Sequence, residues 1–339
     1  ALHGTSIVSV PPALAKAGFT NVQLVEAQST PDGNFPTVAS PNPEESAALA
    51  MAVAQAEATN ADLVIGCDPD TDRVGIAVND GTGKMQLLNG NDTAALLVHY
   101  ILNAYKTNGT LPANGFTAAT VVTTDLIADI SAAYGVPCYR CLTGFKWIAD
   151  IINNKPEEQF LVGGEESYGY LIGDDVRDKD AVASAVMIAE MAANAKAKGR
   201  TVLEQLEAIH REFGQYQERL ISITKKGRSG AQEIADMMTA LRNDPPKTLA
   251  GSPVIVAIDH AKSTQTDLRT GATSSTQLPA SNVLQFITEA GDKVSARPSG
   301  TEPKIKFYFS VRTTTGESHA ATKAELERKI DTFIEELNL

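Results

Sequence analysis

Apolar positions along the chain change period repeatedly, and each change marks a strand or a helix. The run "DLVIGC" (62–67) has strand length, and "RVGIAV" (73–78) puts Val74, Ile76 and Val78 on one face before the turn signal "NDGTGK". Upstream, "SPNPEESAALAMAVAQAEATN" (40–60) predicts a helix with Asn42 as N-cap, Pro43 at the first helical position, and Glu44 and Glu45 at the positive end of its dipole. "NVQLVEA" (21–27) predicts a strand, and the opening "ALHGTSIVSV" reads as strand-like. A second stretch repeats this rhythm. "NDTAALLVHYILNAYKTNG" carries Leu96, Leu97, Tyr100, Ile101 and Ala104 at helical spacing and stops at Gly109, and "TAATVVTT" is β-branched. "GVPCYRC" and "QFLVGG" each read as a strand feeding a loop and then a helix, and "DAVASAVMIAEMAANAKAKG" is a helix with a glycine stop. Beyond about residue 214 come the loop "RNDPPKTLAGSP" and the strands "VIVAIDH", "VLQFITEAG" and "DKVSARPSGTEPKIKFYFSVRT". A last helix carries Leu326, Ile330, Phe333, Ile334 and Leu337 as one apolar stripe.

This order predicts an α/β fold class: two mixed α/β domains, 1–84 and 85–213, followed by a smaller α+β C-terminal domain, 214–339. Hydrophobic content of 43% is ordinary for a globular protein, and no apolar run approaches the ~18 residues of a membrane span. The net charge of −12 argues against nucleic acid and anionic membranes as partners, so an anionic ligand must find a local cationic pocket. Three cysteines, Cys67, Cys138 and Cys141, make no disulfide framework and point to a reducing, cytoplasmic setting. Although "CYRC" has zinc-like spacing, no second pair completes a site, and it reads as ordinary thiols. The start lacks Met and any signal-peptide pattern, so the chain is expected to be a piece of a larger protein.

Three stretches carry chemistry. In "DPDTDR", Asp68, Asp70 and Asp72 repel one another unless a cation or proton intervenes, and hard oxygen donors suit Mg²⁺ or Ca²⁺. An EF-hand is excluded, because Arg73 and Asn79 stand where it needs Gly and Glu. A solvated acidic turn is the plain alternative, and Arg73 weighs against it, since a guanidinium beside a metal loop suits a bridging phosphate. In "RPSGTEPK", Arg297 can hold two phosphate oxygens, Gly300 lets the backbone approach an anion, and Ser299 and Thr301 offer hydroxyls, against the alternative of a Pro/Gly turn with incidental charge. In "VGGEESYGYLIGDDVRDKDAV", Glu165, Glu166 and Ser167 offer acceptors for sugar hydroxyls, with Arg177 and Lys179 as nearby cations; a charged helix-entry loop would look similar.

Together these motifs resemble the α-D-phosphohexomutase family, which includes phosphoglucomutase and phosphomannomutase. "DPDTDR", "GEESYG" with "RDKDAV", and "RPSGTEPK" match in order and spacing over essentially the whole chain, as do "LHGT" and "DGNFPTVASPNPEE". The resemblance implies four domains around a cleft, of which this sequence matches the second (1–84), third (85–213) and fourth (214–339). The first, whose Ser-His-Asn loop carries the transferable phosphate, has no counterpart here. It further implies that Asp68, Asp70 and Asp72 bind Mg²⁺ and that Arg73 contacts the phosphoryl group. Glu165 and Ser167 would grip the sugar's 3- and 4-hydroxyls beside Gly144, and Lys179 would give electrostatic help or handle a proton. Arg297, Ser299, Gly300 and Thr301 would hold the phosphate that is not transferred. The implied activity is an intramolecular phosphotransfer between sugar 1- and 6-phosphates, with glucose 1,6-bisphosphate as intermediate and activator. Without the phosphoserine domain the chain alone is expected not to complete the cycle. Tyr170 stands where several bacterial members have a histidine, which tilts the reading toward glucose or pentose phosphates over mannose. Two other readings are a truncated protein that binds sugar phosphates without turnover, and an Asp-nucleophile phosphatase. The latter fits poorly because Asp72 occupies its Thr or Val position.

Overall fold

The computed structural model describes residues 1–225, 227–300, 302–314 and 318–339. The chain divides into two compact units, Ala1–Ile209 and His210–Leu339.

In the first unit, α1 (Ser6–Lys16), a 3-10 turn (Glu26–Gln28) and α2 (Ser46–Thr59) precede an antiparallel sheet of β1 (Leu63–Cys67), β2 (Val74–Asn79) and β3 (Met85–Leu88) in that order. Next come α3 (Gly90–Thr107), β4 (Gly115–Thr120), α4 (Leu126–Ala133), β5 (Cys138–Cys141), α5 (Lys146–Asn154), β6 (Gln159–Gly164), β7 (Tyr170–Ile172), α6 (Ala181–Ala197) and α7 (Val202–Phe213). These strands form a sheet in the order β5-β4-β6-β7, with β4 parallel to β5 and β6, and β7 antiparallel. Every residue of β4 is buried, as a parallel strand covered on both faces requires, and Phe116, Phe160, Ile148 and Leu171 share the core there. Two side-chain caps set helix starts near the site: Asn89 accepts from Asp92 N, and Asp180 accepts from Val182 N and Ala183 N.

The second unit contains β8 (Gln215–Thr224), α8 (Arg228–Asn243), β9 (Thr248–Leu249), β10 (Ser252–Asp259), β11 (Thr264–Asp267), β12 (Thr273–Ser275), β13 (Leu284–Thr288), β14 (Lys293–Pro298), β15 (Lys304–Thr313) and α9 (His319–Glu336). Its antiparallel sheet runs β12-β11-β10-β13-β14-β15-β8, with β9 on β10. Phe286, Val294, Ile305, Phe307 and Phe309 meet Leu326, Ile330 and Phe333 of α9 in its core, with Ile334 and Leu337 partly buried at the margin. Asp292, fully buried, accepts from Arg312 N (3.1 Å) and Thr288 Oγ1 (3.3 Å) and pairs with Lys329 Nζ at 2.6 Å. Lys329→Ala leaves that carboxylate without its counter-charge, and urea unfolding is expected to show a loss of about 3 kcal/mol.

The loop after β6 leads not straight to a helix but to β7, which pairs back on β6 before α6 begins, and three further local expectations are overturned. The opening is helical, because Ser6, Val10 and Leu14 bury at intervals of four against α6, even with Pro11 and Pro12 inside the helix. Residues 21–25 form no strand: Val22 and Leu24 are 40% and 37% exposed, and a cavity of about 540 Å³ lies between this segment and β1. Alternation supplies strand propensity, but among the described residues no strand pairs with it. Asn42 does not cap α2. Its Oδ1 accepts from Glu44 N and its carbonyl from Glu45 N, closing a turn ahead of a helix that starts at Ser46.

Candidate active site

β1 and β2 pair from Leu63↔Val78 to Cys67↔Val74, so residues 68–73 are the connection of a hairpin. Asp68 is buried, and its Oδ1 accepts from Asp72 N (3.1 Å) and Arg73 N (2.9 Å), while Thr71 takes the left-handed conformation (φ 63°) that the tight loop needs. One carboxylate oxygen from each of Asp68, Asp70 and Asp72 lies within 4.8 Å of the others. Burial pushes the Asp68 carboxyl up to about 7; the Arg73 N–H pulls it down, and Asp72 and Asp70 add to the rise. Three crowded carboxylates, one of them held out of water, are a donor set that a hard divalent cation fits.

The loop is braced from the chain's start. Thr5 N and Oγ1 both donate to Pro69 O (2.8 and 3.0 Å), and Thr5 Oγ1 meets Thr71 Oγ1 at 2.8 Å. A Cβ on Gly4 would lie 2.2 Å from Pro69 Cα, which explains the glycine in "LHGT". Gly4→Ala must displace the loop backbone; the expected result is a stability loss of about 1–3 kcal/mol in urea unfolding, together with weakened Mn²⁺ binding.

Backbone hydrogen bonds sew two further loops to this one. Val74 N donates to Tyr168 O (3.0 Å), and Ala181 N to Thr71 O (3.3 Å). Lys179 Nζ consequently sits 2.7 Å from Asp72 Oδ2 and 3.5 Å from Asp178 Oδ1. Burial opposes its charge, but Asp72, Asp178 and Glu165 outweigh burial and raise its pKa above the ordinary value. In the "GEESYG" turn, buried Glu165 accepts from Gly144 N (2.8 Å), and Ser167 is half-buried beside it. Glu166 turns away, accepting from Thr120 Oγ1 (3.3 Å) and Thr123 Oγ1 (3.1 Å), so this candidate sugar acceptor is engaged by the end of β4. Arg177 is likewise drawn off, to Asn153 Oδ1 on α5 (3.2 Å) and the Asp174 carbonyl. Tyr170 is buried and donates to Gly90 O (3.0 Å), and burial raises its phenol far above the ordinary value. Tyr170 is thus a packing residue.

Arg73 was legible, but its partner was not: Nη1 lies 2.5 Å from Glu44 Oε1, whereas Nε is 3.8 Å from Asp72 Oδ1 and 4.0 Å from Asp68 Oδ2. The only hint in the sequence was the acidic pair after Pro43, which reads equally well as helix-dipole chemistry.

In the second unit, "RPSGTEPK" joins β14 to β15. Ser299 N donates to Lys304 O (2.7 Å), and Glu302 N to Ser299 Oγ (3.3 Å), while Gly300 is exposed with open space around it. Thr301 lies outside the described residues. Arg297 is half-buried and directly opposite Lys306 in the strand register, a like-charged pair that an anion would reconcile.

The three-carboxylate loop and the glutamate turn belong to the first unit of this mixed α/β chain, and the cationic loop between β14 and β15 belongs to the second. Residues 1–82 match the family description "Phosphoglucomutase/phosphomannomutase, alpha/beta/alpha domain II", and residues 89–213 match domain III of the same family. The chain belongs to the phosphoglucomutase/phosphomannomutase family, the α-D-phosphohexomutases. It is 39% identical to a phosphoglucomutase of Staphylococcus epidermidis over 311 residues, 91% of this chain and 56% of that protein. With a probable phosphomannomutase of Haemophilus influenzae it is 39% identical over 314 residues, 92% of this chain and 59% of that one. It thus spans little more than half the length of these relatives. The fold is similar to that of the Paramecium phosphoglucomutase parafusin (TM-score 0.62, 16% identity, 92% of this chain and 52% of that one). It is also similar to a phosphoglucomutase/phosphomannomutase family protein from Burkholderia thailandensis (TM-score 0.63, 17% identity, 100% and 59%).

Proposed function

We propose that these 339 residues are the metal-, sugar- and phosphate-binding portion of a phosphohexomutase, comprising family domains two (1–84), three (85–213) and four (214–339). Its reaction interconverts hexose 1- and 6-phosphates, glucose before mannose, through the 1,6-bisphosphate of the same sugar (glucose 1,6-bisphosphate for glucose), using a phosphoserine outside these residues. The observation that carries the reading is the Asp68/Asp70/Asp72 loop hydrogen-bonded to the "GEESYG" turn, with Lys179 on Asp72. Mg²⁺, when bound by the three aspartates, supplies positive charge to the transferring phosphoryl oxygens.

The chain's own residues do the remaining work. Arg73 orients the phosphoryl group, in the manner of a guanidinium on two oxygens. Lys179, its charge favoured by Asp72, stabilises developing negative charge and is not a base at neutral pH. Glu165 and Ser167 take hydrogen bonds from the sugar's 3- and 4-hydroxyls, with Glu165 fixed by Gly144 N. Arg297, Ser299, Gly300 and Thr301 clamp the distal phosphate, so the sugar can bind with either end presented for transfer. Partners are small sugar phosphates in the cytoplasm, and not nucleic acid or membrane.

Calorimetric titration with glucose 1-phosphate, mannose 1-phosphate and ribose 1-phosphate tests this. Glucose 1-phosphate is expected to bind tightest, without turnover by these residues alone. Preference for ribose 1-phosphate would overturn the hexose assignment, and absence of binding to all three would overturn the clamp.

A further inference from the structure

The Arg73–Glu44 pair is the shortest ion pair at the metal loop, and Glu44 comes from outside that loop. Its turn is seated firmly. Asn42 closes it from within through Glu44 N (3.1 Å) and Glu45 N (3.0 Å), and Pro43 packs so tightly on β2 that a Cβ at Gly75 would lie 2.8 Å from Pro43 O. The carboxylate makes no capping hydrogen bond to α2. Arg73 therefore has two sets of acidic neighbours: Glu44 in direct contact, and Asp72 and Asp68 at 3.8 and 4.0 Å. A guanidinium that settled on those aspartates would occupy oxygens a divalent cation needs and repel the cation itself.

We infer that Glu44 is a positioning residue for the metal loop: it holds Arg73 to one side, keeping the guanidinium from closing on the carboxylates of Asp68 and Asp72, of which Asp72 already pairs with Lys179. The inference rests on the metal reading of the loop and goes beyond it by giving Glu44 an effect on metal affinity that passes through Arg73 alone. Its own negative charge would also attract a cation, so the two routes must be separated, and a double-mutant cycle does so.

Mn²⁺ binding is measured, without substrate, for the unaltered chain and for Glu44→Gln, Arg73→Gln, the double variant, Glu44→Asp and Asp70→Asn, with the unfolding midpoint of each. Expected is a weakening of about tenfold for Glu44→Gln, partial recovery in Glu44→Asp, and no loss for Arg73→Gln. In the Arg73→Gln background, Glu44→Gln should change affinity by no more than about twofold. Equal weakening in both backgrounds would overturn the inference, showing that Glu44 acts through its own charge. No weakening in either would overturn it as well. An unaltered chain without saturable Mn²⁺ binding, or one matched by Asp70→Asn, would overturn the metal reading itself.

Discussion

Asp70→Asn is expected to weaken divalent-cation binding on the order of a hundredfold while leaving the fold unchanged. The three aspartates differ in what else they hold. Asp68 is buried and accepts two backbone N–H groups that shape the loop, so its replacement confounds metal loss with loop distortion. Asp72 is bound to Lys179, and neutralising it frees that ammonium. Asp70 is exposed and offers an oxygen to the same cluster, which makes it the clean probe. In a protein carrying the phosphoserine, the same change should cut mutase turnover about a thousandfold, because transfer depends on charge placed at the phosphoryl oxygens. Mn²⁺ titration and turnover should fall together, with an unaltered urea midpoint; full turnover despite lost Mn²⁺ binding would remove the metal from the mechanism.

The second large effect is in the other unit. Arg297→Ala should weaken hexose phosphate binding roughly a hundredfold, as expected for losing one or two charge-assisted hydrogen bonds. Arg297→Lys should recover only part of this, since an ammonium cannot match two oxygens at once. A lysine variant that binds as well as the arginine would show that only local positive charge matters at the end of β14, with Lys306 opposite as its other source. Calorimetric titration with glucose 1-phosphate distinguishes the two.

Much of this was legible along the chain because the relevant signals are local. The short apolar runs of β1 and β6, the alternation in β2 and β15, the helical stripe of α9 and the glycine after α6 are properties of neighbouring residues, and each appears where its pattern places it. The aspartate loop was legible for the same reason: its charges are crowded by covalent spacing. What could not be read was decided at long range. The helix at Ser6–Lys16 depends on α6, far along the sequence, and the failure of residues 21–25 to pair depends on what stands beside β1. Glu166 and Ser167 are adjacent polar residues, and it is the hydroxyls of Thr120 and Thr123, more than 40 positions away, that engage Glu166. Glu44 reads along the chain as a helix-start residue because its partner lies 29 positions away.

The unfilled space next to β1 has a consequence for how the protein behaves in concentrated solution. β1 is an edge strand of its three-stranded sheet, and it lines a cavity together with residues 21–25. A strand margin left in that condition is a template for a foreign strand. Self-association of these 339 residues on warming or during refolding should begin at this flank.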